Sequence, residues 1–521
     1  MTVITSAEPT VEPAEVPVHE LVLGGAAARG SHPALVDGTT GQTIGYAELA
    51  GMVDRFAAGL AEAGLARGDV IALHSPNTIL FPVVLLGASR AGVVVTTLNA
   101  LSTAQEIAEQ LTDARARWLV TVSALLPTAE EAAARAGVEQ VWVCDTEDGH
   151  RSVRELLAST AEPPEVDVDL DEDLFVLPYS SGTTGRPKGV MLTHRSVGTN
   201  SNQVLRSWSR VTGDDRVLGV LPFFHIFGMC ILLNYLRVGG TLVVLPRFEV
   251  DSFLSALAEY RITRLYAVPP IVLALAKHPA VDSYDLSSLR EVLSAAAPLD
   301  PRLGEACARR IGTRVVQGYG MTELSPCSHL VADDVAGPVP GSVGTLVAGT
   351  QARLVDPVTG ADVATGDVGE LWIRGPQVMK GYFGRPEDTA AMIDADGWLH
   401  TGDLARVDAD GYFFIVDRVK ELIKYRGYQV PPAELEAVLL AHPEIADAAV
   451  VGCYDDNGDE VPKAFVVPSP GRTLDADAVM AYVAGKVAPY KKVRRVEFVD
   501  VIPRAASGKI LRRELRERPA G

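Results

Sequence analysis

The chain reads as an α/β protein: a large N-terminal domain of αβ-layered subdomains plus a β-rich subdomain, with a smaller mobile α+β C-terminal domain. Three observations carry this reading. Apolar runs of strand length alternate with segments at helical spacing over the first part of the chain. Short alternating strands with tight-turn signals take over near Gly341, and a separate α+β pattern begins beyond Asp417. With 521 residues, 47% hydrophobic and 22% charged, the chain has the composition of a folded protein, and at roughly 100–200 residues per domain it has room for several.

In chain order, residues 43–64 carry apolar side chains at helical spacing, and 68–76 is a short apolar run ending in turn residues, so a helix followed by a buried strand is expected. The alternation recurs over 81–99, 116–125, 239–248 and 264–279, which predicts largely buried and mostly parallel strands. Residues 217–236 approach the length of a membrane span, but Pro222, His225, Gly228 and Asn234 interrupt them, and a buried strand, turn and helix is the better reading. Beyond Gly341, Asp410-Gly411 marks a hairpin in the β-rich part. A boundary is placed at Asp417 to Lys420, giving a large domain over 1–417 and a small one over 418–521.

The formal charge of −19 repels a polyanion and argues against nucleic acid as the main partner. From Tyr482 to Gly521, however, eleven Lys or Arg stand against four Asp or Glu, which is either a solvated basic face or an anion-facing surface. The five cysteines are scattered outside any metal spacing, so neither disulfides nor structural zinc are expected. The acidic, proline-rich N-terminal tail lacks the basic start and apolar core of a signal peptide, so a cytoplasmic location is expected.

The segment YSSGTTGRPKGVMLTH (179–194) concentrates chemistry. Glycines at 182, 185 and 189 let backbone approach a ligand, Ser180, Ser181, Thr183 and Thr184 add hydroxyls, and Lys188 adds a compact positive charge. Such a loop suits nucleotide phosphates, although no Walker pattern can be drawn through it, and a glycine-rich surface turn is the alternative.

Together with PFFHIFGM (222–229), QGYGMTE (317–323), HTGD (400–403), DRVKELIKYRGYQVPPAELE (417–436) and PRAASGK (503–509), this loop resembles the adenylate-forming superfamily of acyl-CoA synthetases, non-ribosomal adenylation domains and luciferases. The run KELIKYRGYQVPPAELE is most similar to the 4-coumarate:CoA ligase branch. The resemblance implies an acid:CoA ligase of two steps: a carboxylate attacks the α-phosphate of ATP, and coenzyme A then displaces AMP to give a thioester. Cations and oriented amides must offset the charge crowded together in the first step.

By resemblance, Ser180, Ser181, Gly182, Thr183, Thr184 and Lys188 hold the β- and γ-phosphates, and Thr184 with Glu323 places Mg²⁺. Gln317, Gly318, Tyr319 and Thr322 line the adenine and α-phosphate site, while Asp403, assisted by Arg418, accepts the ribose hydroxyls. Lys509 bridges the substrate carboxylate and the α-phosphate; without its motif it would read as one more solvated lysine. Lys420 is the hinge about which the small domain swings, bringing Lys424 and Gln429 to the adenylate, with Arg426 and Gly427 bordering coenzyme A and Arg247 contacting it. His225, which alone would read as a satisfied core histidine, gates the acyl tunnel and assists adenylation in this scheme.

The acid pocket expected from the same resemblance comprises Ile226, Phe227, Leu293, Ala295, Ala296, Gly320, Pro326 and Cys327, with Gly318 shared. Phe227 stands where plant-type ligases commonly have tyrosine and Leu293 where they often have lysine, so a buried 4-hydroxyl would lose partners and an unsubstituted ring would lose nothing. Cinnamate is therefore expected to be a good substrate beside 4-coumarate, with Tyr266 a possible source of a compensating hydroxyl. A medium-chain fatty acyl-CoA synthetase is the nearest rival, and a non-catalytic adenylate-binding protein the alternative from another class. A bacterial source is hinted at by scarce lysine beside abundant alanine and arginine, and PRAASGK resembles lysine-acetylation sites that silence bacterial acyl-CoA synthetases, here at Lys509.

Overall fold

The computed structural model describes residues 2–145, 149–180, 187–335, 337–425, 428–455, 459–505 and 508–518. Two large sheets dominate the first part. In one, strands Val94–Leu98, Val70–His74, Trp118–Thr121 and Gln140–Val143 run parallel, and the antiparallel strand Lys188–Thr193 closes toward the glycine-rich loop. In the other, Arg314–Gln317, Glu291–Ser294, Arg264–Ala267, Arg216–Gly219, Thr241–Val244 and Pro33–Asp37 are all parallel. Their apolar residues are buried because helices such as Tyr46–Glu62 and Phe81–Arg90 cover the sheets, which is why these strands read as continuous hydrophobic runs.

Residues 217–236 form a buried strand, a loop and the helix Ile226–Val238, as the interruptions in the run imply. His225 is the N-cap of that helix: its Nδ1 accepts the Phe227 N–H at 3.3 Å. Gly228 is required at the helix start, since a Cβ there would collide with the Pro222 carbonyl oxygen. No helix among the described residues is long and apolar enough to cross a membrane.

The β-rich part is a five-stranded antiparallel sheet that includes Gln351–Val355, Gly369–Arg374, Leu399–Val407 and Phe413–Arg418, with Gly411 in the left-handed region at the hairpin. The N-terminal tail joins the fold: Ile4–Thr5 adds an edge strand to this sheet against Gln351 and Ala352, and Ala14 is buried. Short backbone pairing outweighs the tail's polar composition there. The last part has its own core, around Ile423, Leu435, Val450, Ala464 and Val483, between the strands Ile445–Tyr454, Glu460–Pro468 and Arg495–Phe498 and the helices Pro432–Leu440 and Ala476–Ala484.

Candidate active site

A cavity of about 940 Å³ lies where the ends of the second sheet, the β-rich sheet and the C-terminal segment meet. Of the nucleotide residues expected from sequence, Ser180, Lys188, Gly318, Tyr319, Thr322, Glu323, Asp403, Arg418 and Lys509 all line it, as does Lys420 at an exposed position. Asp403 is buried and doubly held: the Tyr319 hydroxyl donates to its Oδ2 at 2.6 Å and Arg418 Nε approaches its Oδ1 at 3.1 Å. Burial, reinforced by the Asp403 carboxylate, pushes the Tyr319 phenol well above its ordinary range, so it stays a donor.

Lys509 enters from the C-terminal segment on a turn in which Ala505 N–H donates to the Lys509 carbonyl at 2.8 Å and Gly508 has a left-handed φ of 79°. Among the described residues its ammonium has no hydrogen-bond or ion-pair partner. Burial, with the Arg418 guanidinium second, lowers its pKa to about 8. Burial and then Lys509 bring His225 down to about 4, so its imidazole is neutral near pH 7. Because Nδ1 accepts the Phe227 N–H, the ring proton sits on Nε2, which makes His225 a donor on the cavity side.

Two residues that sequence reasoning passed over hold this end together. The Tyr382 hydroxyl donates to Glu323 Oε1 at 2.8 Å, and its ring lies 5.0 Å from the Lys188 ammonium. Asp388 pairs with Lys188 at 2.7 Å. Neither residue sits in a local pattern that signals chemistry; each matters through a partner far away in the chain. Among the described residues no cluster of three or more His, Cys, Asp or Glu could hold a metal ion. Glu323, a buried carboxylate with one oxygen on Tyr382, fits a Mg²⁺ carried mainly by phosphate oxygens rather than by a protein cage.

The residues expected to form the acid pocket, Ile226, Phe227, Leu293, Ala295, Ala296, Gly320, Pro326 and Cys327, also line the cavity, joined by Val204, Trp208, Cys230 and Leu330. Ala296 adopts a left-handed φ of 70°, uncommon for alanine and sited on the pocket wall. Gly320 is needed because a Cβ would strike the Pro326 carbonyl oxygen. Burial raises the Cys230 thiol to about 12 and, with Cys230 second, the Cys327 thiol well above its ordinary value, which keeps both as neutral thiols in the wall.

Several expectations fall elsewhere. Gln317 does not line the cavity; its Oε1 accepts the Leu299 N–H at 3.2 Å. Arg247 is exposed and pairs with Glu249 at 2.5 Å, and Lys424 is exposed on the hairpin that pairs it with Gln429. The Tyr266 hydroxyl, offered as a partner for a ring hydroxyl, is instead bonded to the Tyr235 hydroxyl at 2.9 Å behind the pocket. Ser181, Gly182, Thr183, Thr184, Arg426 and Gly427, and the side chain of Gln429, lie outside the described residues.

Comparison with known proteins agrees with this geometry. Residues 25–383 match the model of the AMP-binding enzyme family and residues 434–509 that of the AMP-binding enzyme C-terminal domain. The chain is 44% identical over 499 residues to 4-coumarate–CoA ligase 3 of Oryza sativa subsp. japonica, covering 94% of this chain and 90% of that one. It is 40% identical to 4-coumarate–CoA ligase 1 of Petroselinum crispum, over 98% and 95% of the two chains. Among solved structures, ATP-bound MatB from Rhodopseudomonas palustris superposes with a TM-score of 0.86 at 32% identity, covering 96% and 99% of the chains. The anthranilate CoA ligase AuaEII in complex with anthranoyl-AMP gives 0.87 at 26% identity, covering 96% of each. With a family model spanning most of its length and relatives of this closeness, the chain belongs to the AMP-binding enzymes, in the 4-coumarate–CoA-ligase-like branch of the AMP-forming acid–CoA ligases.

Proposed function

We propose that this acid–CoA ligase activates phenylpropenoic acids, with cinnamate and 4-coumarate as its substrates. The observation that carries the reading is one continuous cavity that joins Lys509, Asp403 and Glu323 at one end to an apolar pocket walled by Phe227, Leu293 and Trp208 at the other. A flat, uncharged ring fits the apolar end, and a carboxylate directed to the other end meets the Lys509 ammonium and the His225 Nε2 donor. Lys509 stabilises charge on the attacking carboxylate and the α-phosphate, Asp403 accepts the ribose hydroxyls, and Tyr319 offers a ring to adenine. Glu323 would hold Mg²⁺, which when bound with ATP offsets triphosphate charge. Ser181 to Thr184 are assigned to the phosphates by motif alone.

In this reading residues 1–417 and 418–521 are two domains that pivot at Lys420. In the arrangement described, Lys509 faces the cavity and Lys424 is outside, which suits adenylation; rotation would bring Lys424 and Gln429 to the adenylate and Arg426, Gly427 and Arg247 to coenzyme A. The enzyme is assigned to the cytoplasm, where ATP and coenzyme A are available, and acetylation of Lys509 is proposed as its off-switch because it removes the charge adenylation needs. Finding Lys509 unmodified after incubation with acetyl donors and acetyltransferases would count against that switch. The substrate test is thioester formation with ATP, Mg²⁺ and coenzyme A, comparing cinnamate, 4-coumarate, ferulate and octanoate. Preference for the first two is expected; a preference for octanoate would overturn the aromatic assignment and favour a medium-chain enzyme.

A further inference from the structure

The acid end of the cavity is closed by three aromatic rings. Trp208 follows the helix His194–Ser207, its N–H donating to the Val204 carbonyl at 2.9 Å, so that both side chains reach the cavity. The Trp208 ring lies 4.9 Å from Tyr266 and 6.4 Å from Tyr235, centroid to centroid. Behind it the two tyrosines meet edge to face at 5.8 Å with their hydroxyls bonded at 2.9 Å. Trp208 lines the cavity and neither tyrosine does, so it is the last layer before a solid core. Tyr235, one of the rings behind Trp208, lies on the helix Ile226–Val238 that His225 caps, ten residues on and about 15 Å along the axis.

We propose that Trp208 is a specificity-determining residue: it ends the acid pocket and limits the acyl group to one with the reach of a phenylpropenoate. The inference rests on assigning the apolar end of the cavity to the acid. A ring already flat and rigid fits against the Trp208 face with little entropy to lose, whereas a longer flexible chain would have to fold back on itself. The tyrosine pair leaves Trp208 nowhere to retreat, because packed interiors yield little.

The test measures binding of two stable acyl-adenylate mimics, cinnamoyl- and octanoyl-sulfamoyl adenosine, to the full-length protein by titration calorimetry. Wild type is expected to prefer the cinnamoyl mimic. Trp208→Ala is expected to lower the cinnamoyl-to-octanoyl affinity ratio by about tenfold or more, and Trp208→Leu by less. Thermal melting confirms that each variant is folded, and Trp208→Leu carries the test if the alanine variant is not. Binding of both mimics with the wild-type ratio unchanged in a folded variant overturns the inference and leaves the acid assignment standing. Failure of the cinnamoyl mimic to bind wild type would instead remove the acid assignment, and the inference with it.

Discussion

At the reaction end of the cavity each anchoring carboxylate is tied to a side chain from another part of the chain: Asp403 to Tyr319 and Arg418, Glu323 to Tyr382. The apolar end is walled by Phe227, Cys230, Leu293, Leu330 and Trp208, among which no ion pair occurs, and its hydrogen bonds, such as that between the Tyr235 and Tyr266 hydroxyls, lie behind the wall. The difference teaches where precision is needed. Phosphoryl chemistry requires donors and charges fixed to a fraction of an ångström, and buried hydrogen-bonded pairs supply that. Ring recognition requires shape, and close-packed apolar side chains supply it without paired charges. Lys509 stands apart from both arrangements, a cation with no ion-pair partner among the described residues.

The largest effect is expected at that lysine. Lys509→Ala should slow ATP–pyrophosphate exchange by about 100-fold or more while leaving the far-ultraviolet circular dichroism unchanged; retained exchange would show that the reaction end does not depend on it. Asp403→Ala strands a buried tyrosine hydroxyl and frees Arg418, and should raise the KM for ATP by about tenfold with little change in that for the acid. Equal changes in both would dissolve the division between the two ends.

The pH profile sharpens the same contrast. If Lys509 acts as the proposed cation, burial having lowered its pKa to about 8, kcat/KM for adenylation should fall as pH rises through that value. His225, at about 4, is already neutral below that range and adds no second limb between the two values. At the acid end, Phe227→Tyr should shift kcat/KM toward 4-coumarate relative to cinnamate by several-fold, roughly the worth of one ring hydroxyl contact. The smallest effect is expected from Tyr235→Phe, which breaks the hydroxyl pair behind Trp208 and should lower stability by about 1 kcal/mol, read as a shift in thermal melting.

Most of the reaction end was legible in the sequence because its residues travel in short motifs. HTGD carries Asp403, QGYGMTE carries Tyr319 and Glu323, and PRAASGK carries Lys509; in each case neighbours in sequence belong to one short stretch of backbone. Tyr382 and Asp388 were not legible, because GYFGRPEDT has no chemical signature until the strand Gly381–Tyr382 pairs with Met191 and Val190 and brings both residues to Lys188 and Glu323. Tyr266 was misjudged for the same reason: nothing near it in sequence shows that Tyr235 already holds its hydroxyl. Trp208 carries no motif in the sequence and is singled out only by its place in the cavity wall.

What the chain determined by itself is the order of its α/β and β-rich parts, the family to which it belongs and the identities of its charged groups, since periodicity and motif spacing are local properties that survive without knowledge of the fold. What only the tertiary structure decided is who partners whom: that Lys188 faces Asp388, that Glu323 is held by a tyrosine 59 residues away, and that Trp208 lines the same cavity as Lys509. Those pairings depend on the path of the chain between distant segments and on how side chains pack where they meet, and no stretch of sequence short enough to read as a motif contains that information.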